Sequence, residues 1–533
     1  MKALIVGLFT LLLGACQLTT PTTQDAAVAV EEPATQPLDA QAAKPDERAL
    51  TQSITDQATA TDAELVNAPV VYDDVWIRIE DQLSIPLPEN NRRLQAQLNW
   101  FLKHPDYMNR VSQRANPYLF FIVEEIERRE LPLELALLPI VESAFQPFAY
   151  SHGRAAGMWQ IIPGTGTRFG LQQNWWYDGR RDVYASTNAA LDYLEYLNKF
   201  FDGDWLHALA AYNSGEGRVR RAIRANQKAG KATDFWSLDL PKETRAYVPK
   251  LLALSQMLTN REAYQLNIPA ISNQPYFQKI DTHSQIDLAL AADLADIELK
   301  ELHRLNPGFN RWATAPDGPH YLMIPVKSIA NFEIALASLS KSDRMQWARY
   351  KVKPGDSLSV IAKRYNTTSQ QIKELNQLNS TRIRAGHHLL VPVSSRDQSA
   401  YTLSQSQRLA AKQNKPRGDI KMSYTVKPGD SFWSIAKTYK VNHRNIASWN
   451  SMAPTDTLKP GKKLVIWKKS NASDERTQTI TYQVRNGDSL SRIAQKFKVS
   501  VNDLLKWNDL SKSHYLQPGQ KLKLHINVAE VSA

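Results

Sequence analysis

LALLPIVESAFQPFAYSHGRAAGMWQ, residues 135–160, sets one carboxylate, Glu142, at the end of an apolar helical run, with glycine-rich, aromatic sequence directly after it. Leu137, Leu138, Ile140 and Val141 precede the glutamate and Phe145 follows. A carboxyl group held against that much apolar surface loses hydration, so its pKa rises toward the range of a working general acid. Protonating a glycosidic oxygen near neutral pH takes such a group.

Outward from this point, residues 86–270 read as mostly helical. Leu119, Ile122, Val123 and Ile126 mark one apolar face, and Ala190, Leu194, Leu197 and Phe201 another. Four short clusters punctuate the helices. They are Glu142-Ser143, then Gly157-Met158-Trp159-Gln160-Ile161-Ile162-Pro163, then Ala211-Tyr212-Asn213-Ser214-Gly215 after DWLHALAA, and last Glu243-Thr244-Arg245-Ala246-Tyr247-Val248. Several of these residues also have purely structural readings. Asn213 and Gly215 suit a helix C-cap, and Ser143 suits a bond to its own helix backbone. Met158 and Trp159 suit a core, and Tyr247 a buried, hydrogen-bonded tyrosine. Trp175, Trp176 and Tyr177 serve packing or sugar stacking equally well.

The C-terminal third is repetitive. YKVKPGDSLSVIAKRY, YTVKPGDSFWSIAKTY and YQVRNGDSLSRIAQKF begin at Tyr350, Tyr424 and Tyr482. Asn376, Asn450 and Asn508 fall 20 residues after the aspartates of the three Gly-Asp pairs, and each copy closes with a glycine and a short apolar strand. Tyr-x-Val alternation suits a strand, and Gly-Asp suits a turn with Asp356 and its equivalents as N-caps. Each unit therefore reads β-α-α-β. A fainter fourth copy spans 271–330: Ala292 and Asn306 keep the 14-residue spacing of Ala362 and Asn376, and YLMIPV supplies the closing strand. Gln285-Ile286 stands where Gly-Asp should be, which predicts a lost turn and cap. Polar stretches at 394–422 and 468–479 read as linkers between copies.

Residues 1–16, MKALIVGLFTLLLGAC, have the short positive start and brief apolar core of an export signal, too short to span as a helix. Cys16 is the only cysteine of 533 residues, which excludes an intrachain disulfide. From Gln17 to Val71 there is no aromatic residue, and such a segment reads as a disordered tether. The formal net charge of +12 hides an asymmetry: residues 341–533 carry 34 Lys+Arg against 13 Asp+Glu, and residues 1–340 carry 31 against 40. A basic half facing outward from an exported chain suits an anionic extracytoplasmic polymer rather than nucleic acid, or simply a solvated surface.

Order, spacing and wording of the four clusters resemble the lytic transglycosylases of the goose-type lysozyme clan, and the C-terminal copies resemble LysM modules. The resemblance implies a multidomain chain, a mainly α lysozyme-like catalytic domain followed by small β-α-α-β LysM modules. Its parts are a lipoprotein signal at 1–16, a tether at 17–71, a catalytic domain at 72–270 and a degenerate LysM-like segment at 271–330. LysM modules follow at 349–393, 423–467 and 480–526. Carried over by position, Glu142 is the single acid/base. Ser143 lies near the substrate N-acetyl group or the carboxylate, Gln160, Tyr212 and Asn213 line the cleft, and Tyr247 sits near the carboxyl. Many relatives have Gly-Leu-Met-Gln where this chain has Gly157-Met158-Trp159-Gln160, so Trp159 would reshape an apolar sugar platform. LysM resemblance places glycan contacts at Ser357, Leu358, Ser431, Phe432, Ser489 and Leu490. Leu-Gly-Ala-Cys resembles a lipobox. It implies an acylated Cys16 anchoring a monomer, and Gln17 in place of aspartate implies the outer membrane, facing the periplasm.

Most glycosidases need two carboxylates, and the matched motifs supply one. Asp178, Asp182 and Glu216 lie near motifs but outside the matched positions. With one carboxyl, the substrate's own N-acetyl group can stabilise the oxocarbenium-like centre. The expected course is attack by the muramoyl 6-hydroxyl, giving a 1,6-anhydromuramoyl end on peptidoglycan strands with no cofactor or metal. Two alternatives stay open: a lysozyme-type muramidase, and a non-catalytic wall-binding scaffold.

Overall fold

The computed structural model describes residues 71–469, 477–511 and 515–527. The export signal with Cys16, the tether up to residue 70, and most of the 468–479 linker lie outside the described residues. No helix among those described is long and apolar enough to cross a membrane.

Helices α1 (Val75–Asp81), α2 (Arg92–Leu102), α3 (Pro105–Ala115), α4 (Leu119–Glu127) and α5 (Leu138–Ser143) lead into the first half of the helical domain. Its second half comprises α6 (Pro163–Arg168), α7 (Val183–Phe200), α8 (Trp205–Ser214), α9 (Glu216–Lys228) and α10 (Lys242–Thr259). Asp74, Asn91, Asp182 and Asp204 cap α1, α2, α7 and α8, each accepting a backbone N–H of the first turn. Asp74 also accepts from Ile271 N at 3.0 Å, which ties the domain's entry to its exit. Helix α10 is the hub: Val248, Leu251, Leu252, Leu254 and Met257 are fully buried, and it packs against α2, α8 and α5. The apolar faces at Leu119–Ile126 and Ala190–Leu197 both turn into this core. Glu134 is fully buried too, but its carboxylate accepts Ser84 N and Ile85 N at 2.8 and 2.7 Å and staples a turn.

Four β-α-α-β units follow. The first is β1 (Phe277–Asp281), α11 (Leu288–Leu294), α12 (Leu299–Leu305) and β2 (Tyr321–Pro325), trailed by α13 (Ile329–Ser338). Next come β3 (Gln346–Lys351), α14 (Leu358–Arg364), α15 (Ser369–Leu375) and β4 (His388–Val393), then a connecting helix α16 (Gln405–Asn414). The third unit is β5 (Ile420–Thr425), α17 (Phe432–Tyr439), α18 (His443–Trp449) and β6 (Lys463–Lys468). The fourth is β7 (Thr477–Gln483), α19 (Leu490–Lys496), α20 (Val501–Trp507) and β8 (Lys521–Asn527). In each unit the two strands pair antiparallel, with Tyr350 opposite Leu389, Tyr424 opposite Leu464 and Tyr482 opposite Leu522.

The recurring asparagine explains its own spacing. Asn376 donates from Nδ2 to Ile372 O and Leu390 O and accepts Leu390 N, at 2.7–2.8 Å, so one side chain pins the second helix to the closing strand. Asn450, Asn508 and Asn306 repeat the arrangement. The Gly-Asp aspartates are not the N-caps. Ser357, Ser431 and Ser489 cap the helices, while Asp356, Asp430 and Asp488 each accept a backbone N–H three residues back and the hydroxyl of the opening tyrosine. In the degenerate unit the cap survives: Asp287 occupies the serine position and accepts Ala289 N and Leu290 N.

That unit is welded to the helical domain. Asp178 N donates to Gly308 O at 2.8 Å and Asn310 N to Trp176 O at 2.7 Å. A Cβ on Gly308 would stand 2.7 Å from the Tyr177 ring, so only glycine permits the approach. Trp176 and Tyr177 are buried there against Trp312 and Phe309, which answers the packing-or-stacking question for them in favour of packing.

The 394–422 stretch is not a plain linker. Tyr401 is fully buried and donates to the Asp287 carboxylate at 2.9 Å, and Gln405 N donates to Asn310 O. An aromatic within a polar run was the signal that this segment docks. Arg154 of the helical domain reaches the third unit, pairing with Asp456 at 2.6 Å and donating to Thr455 O at 3.0 Å.

Candidate active site

Glu142 sits on the last turn of α5, and the chain stops the helix abruptly after it. Ala144 and Phe145 both adopt left-handed backbone angles (φ 51° and 55°), and their N–H groups close onto Ile140 O and Pro139 O. Two consecutive non-glycine residues there store strain, which the fully buried Phe145 ring holds in place. The glutamate thus faces an open cleft of about 730 Å³ rather than continuing a helix face.

The cleft gathers residues from all four clusters. Val141 and Glu142 come from α5, Gln160 from the loop before α6, Tyr212 and Asn213 from the end of α8, and Tyr247 from α10. Tyr247 Oη donates to Glu142 Oε1 at 2.6 Å. Burial pushes the Glu142 carboxyl up to about 7; the Tyr247 hydroxyl and Lys250 pull it down, and Glu243 pushes it up. Tyr212 and Tyr247 are held far above the ordinary tyrosine range by burial and by the carboxylate, so both stay protonated donors.

Each cluster residue has a visible anchor. Tyr212 donates to Trp159 O at 2.8 Å, and Gln160 Nε2 to Gly157 O at 2.8 Å. Asn213 Oδ1 accepts the Thr244 hydroxyl at 2.7 Å, leaving its amide protons for the cleft, and Gly215 ends α8 as the capping reading expected. Gly157 has φ 81°, and a Cβ there would lie 2.0 Å from Arg180 O. Ser143 is engaged behind the carboxylate: its hydroxyl contacts Met158 O at 2.9 Å and Pro139 O at 3.3 Å, and it is not among the residues lining the cleft. Trp159 is fully buried with its indole N–H on Thr187, so it is core and not a sugar platform. The apolar neighbours of Met158-Trp159 leave no exposed face for a ring to stack on.

The nearby acids are accounted for. Asp178 is clamped by Arg180, Asp182 caps α7, and Glu216 accepts weakly from Tyr193 at 3.4 Å. Sequence reasoning gave no role to Glu243 or Lys250. Both lie on the face of α10 that carries Tyr247, at i−4 and i+3, and Glu243 lines the cleft. Helical spacing from Tyr247 was the signal that could have found them. Among the described residues no group of three or more His, Cys, Asp or Glu is placed to hold a metal.

In the modules, Leu358 and Phe432 are 2 % exposed and belong to the cores, so they offer no surface to a sugar. Ser357, Ser431 and Ser489 are spent largely on capping, and Leu490 is half-buried. Trp433, one residue beyond the Ser-Phe turn, is 64 % exposed with Lys437 over its ring.

A helical domain with one buried, raised glutamate in an open cleft, trailed by four β-α-α-β units, defines a lysozyme-like, glycan-cleaving class of enzyme. The family model for the transglycosylase SLT domain matches residues 120–235, that for the LysM-like domain of lytic transglycosylase MltD matches 276–341, and the LysM model matches 350–392, 424–467 and 482–525. The chain is 40 % identical over 408 residues to membrane-bound lytic murein transglycosylase D of Escherichia coli K12, covering 75 % of this chain and 86 % of the relative. It belongs to the membrane-bound lytic murein transglycosylase D family. The chain is also 41 % identical over 87 residues to cell wall-binding protein YocH of Bacillus subtilis, covering 16 % and 28 % of the two chains. Among solved structures, the lytic transglycosylase Slt of Pseudomonas aeruginosa matches at 23 % identity with a TM-score of 0.23, over 36 % of this chain and 33 % of that one.

Proposed function

We propose that this chain cleaves the β-1,4 bond between N-acetylmuramic acid and N-acetylglucosamine in peptidoglycan and leaves 1,6-anhydromuramoyl ends. The observation that carries the reading is Glu142, poised near pH 7 in the cleft and hydrogen-bonded by Tyr247. Protonated Glu142 donates its proton to the glycosidic oxygen as the C1–O bond breaks. The resulting carboxylate, which Tyr247 holds in place, takes the proton from the muramoyl 6-hydroxyl as that oxygen bonds to C1. No water is consumed, and the attached nucleophile makes ring closure favourable. Gln160 and the free amide of Asn213 position the sugars, with Tyr212 holding the cleft wall through Trp159 O.

The LysM modules grip the glycan. Ser357, Ser431, Ser489 and Leu490 edge the turn regions, and exposed Trp433 supplies a stacking face. The exported chain is held at the outer membrane by acylated Cys16, facing the periplasm, with residues 17–71 as its tether and 72–270 as the catalytic domain.

Glu243, an exposed carboxylate lining the same cleft, favours a second reading in which it activates water and the enzyme is a muramidase. Mass spectrometry of the sugars released from purified peptidoglycan separates the two. Products one water lighter and lacking a reducing end support the transglycosylase, and reducing full-mass ends would make it a hydrolase. Absence of release by the parent chain, with wall binding retained, would leave a binding scaffold.

A further inference from the structure

The segment that lines the catalytic cleft with Ser151, His152, Gly153 and Ala155 also lines a second cavity, of about 550 Å³, with Phe148 and Tyr150. This cavity is strongly one-signed. Arg180 and Arg181 reach it from the helical domain, Arg311 from the degenerate module, Arg408 and Lys412 from α16, and Lys462 from the third β-α-α-β unit. Six cations thus face one carboxylate, Asp178.

That carboxylate is already taken. Arg180 binds it through Nε and Nη2, both at 2.9 Å, and spends its remaining donors on Arg154 O and Ile161 O. Among the described residues Arg181 has only a 3.4 Å contact with Asp178 and a 3.2 Å bond to Asn310, and its Nε is buried with no acceptor. Arg311 donates to Trp175 O and stacks on that ring; Arg408 lies over the Phe148 ring and donates to Leu403 O. Neither has a carboxylate partner among the described residues. Lys412 is held down by burial and by Arg417. Asp456, the acid nearest Lys462, is paired with Arg154.

Arg180, Arg181 and Arg311 are 6–9 % exposed. Withdrawing cations from water without counter-charge is costly, several kcal/mol for each ion on the order-of-magnitude scale. Burial pulls Arg408 and Arg311 down to about 9 and 10, and for Arg408 the neighbouring Arg181 and Arg311 add to the fall while Asp178 opposes it. An interior that concentrates guanidinium groups and leaves their donors unspent is built to receive anions.

We propose that this cavity binds the carboxylates of the peptide carried by the glycan strand being cleaved. The inference rests on the reading of peptidoglycan as substrate. The cations are spread around a cavity of some 550 Å³, which suits several carboxylates along a peptide better than one compact anion. The shared wall with the cleft puts it beside the strand, and Lys462 draws a LysM unit into the same subsite.

The full chain carrying Glu142→Gln, which removes turnover, is titrated calorimetrically with a soluble stem tetrapeptide bearing free carboxylates. The same peptide with its carboxyls amidated and inorganic phosphate form the other arms. The free peptide should saturate, the amidated peptide should not, and Lys412→Gln with Lys462→Gln should weaken the free peptide at least ten-fold. These two lysines come from separate elements, and an unchanged unfolding transition shows that the fold survives. Equal binding of the amidated peptide, or an unchanged affinity in the double variant, overturns the proposal. Phosphate binding that the peptide fails to displace would make the cavity a small-anion site and overturn it too. In the Glu142 background, the double variant should lose several-fold in kcat/KM on peptide-bearing strands and nothing on strands stripped of peptide; equal losses on both refute the subsite. A parent chain inactive on both substrates would instead count against the proposed activity, with the titration still deciding the subsite.

Discussion

Replacing Glu142 with glutamine should make the helical domain more stable, and by an amount that depends on pH. Burial raises the carboxyl from 4.5 to about 7. At about 1.36 kcal/mol per pH unit, ionised Glu142 costs the native state about 3 kcal/mol at high pH. A group whose folded pKa is raised is no burden below its unfolded value, and its penalty grows as pH rises to the folded value. The parent therefore loses stability between pH 4.5 and 7, and glutamine, neutral and still able to accept the Tyr247 hydroxyl, does not. The difference between variant and parent should be near zero at pH 4, rise through the interval, and level off above pH 7 at about 2–3 kcal/mol once relaxation and water entry are allowed for. Urea-dependent hydrogen exchange of the buried amides of α10, corrected for intrinsic rate at each pH, reads this difference in the relevant domain. A difference independent of pH between 4.5 and 8, or a variant less stable than the parent at pH 8, would refute the buried, raised carboxyl.

Three further outcomes follow from the same geometry. Tyr247→Phe removes the hydrogen bond that lowers the Glu142 pKa, so the alkaline limb of the pH–rate profile should move up by about one pH unit; a downward move would contradict the assignment. Glu243→Gln removes the charge that raises it, so the limb should move down, with kcat at the optimum within about ten-fold of the parent. A loss of a thousand-fold or more would instead mark Glu243 as the second carboxylate of a hydrolase. Asn450→Ala breaks three hydrogen bonds of one staple, which should cost its unit about 2–4 kcal/mol and open Met422–Lys468 to proteolysis first, leaving the copy around Asn508 protected.

Much of this was legible because it repeats or is periodic. A fixed Asp-to-Asn interval announced three β-α-α-β units, the Ala292-to-Asn306 interval announced the degenerate one, and an apolar run ending in Glu-Ser announced a carboxyl at a helix end. What stayed hidden depended on which neighbour a side chain meets. Ser and Asp both cap helices, so the division of labour between Ser357 and Asp356 required the turn geometry. Leu358 and Phe432 look like surface groove residues by position, yet the short helix turns them inward while Trp433 turns out. Glu243 was concealed because a charged residue on a helix is ordinarily solvated, and only the packing of α10 against α5 brings it to the cleft. The docking of 394–422 was hidden because its anchors, Tyr401 on Asp287 and Gln405 N on Asn310 O, lie on partners about a hundred residues earlier in the chain.

The contact between Arg154 and the Thr455–Asp456 turn gives the enzyme something like a ruler. A gripping module on a loose cord samples all distances from the blade, and its influence falls with cord length. Here the third β-α-α-β unit is fastened to the loop that forms the wall of the cleft. A sugar gripped by that unit would stand at a narrower range of offsets from the bond presented to Glu142 than one held on a free cord, and fragment lengths would then carry the imprint of that interval.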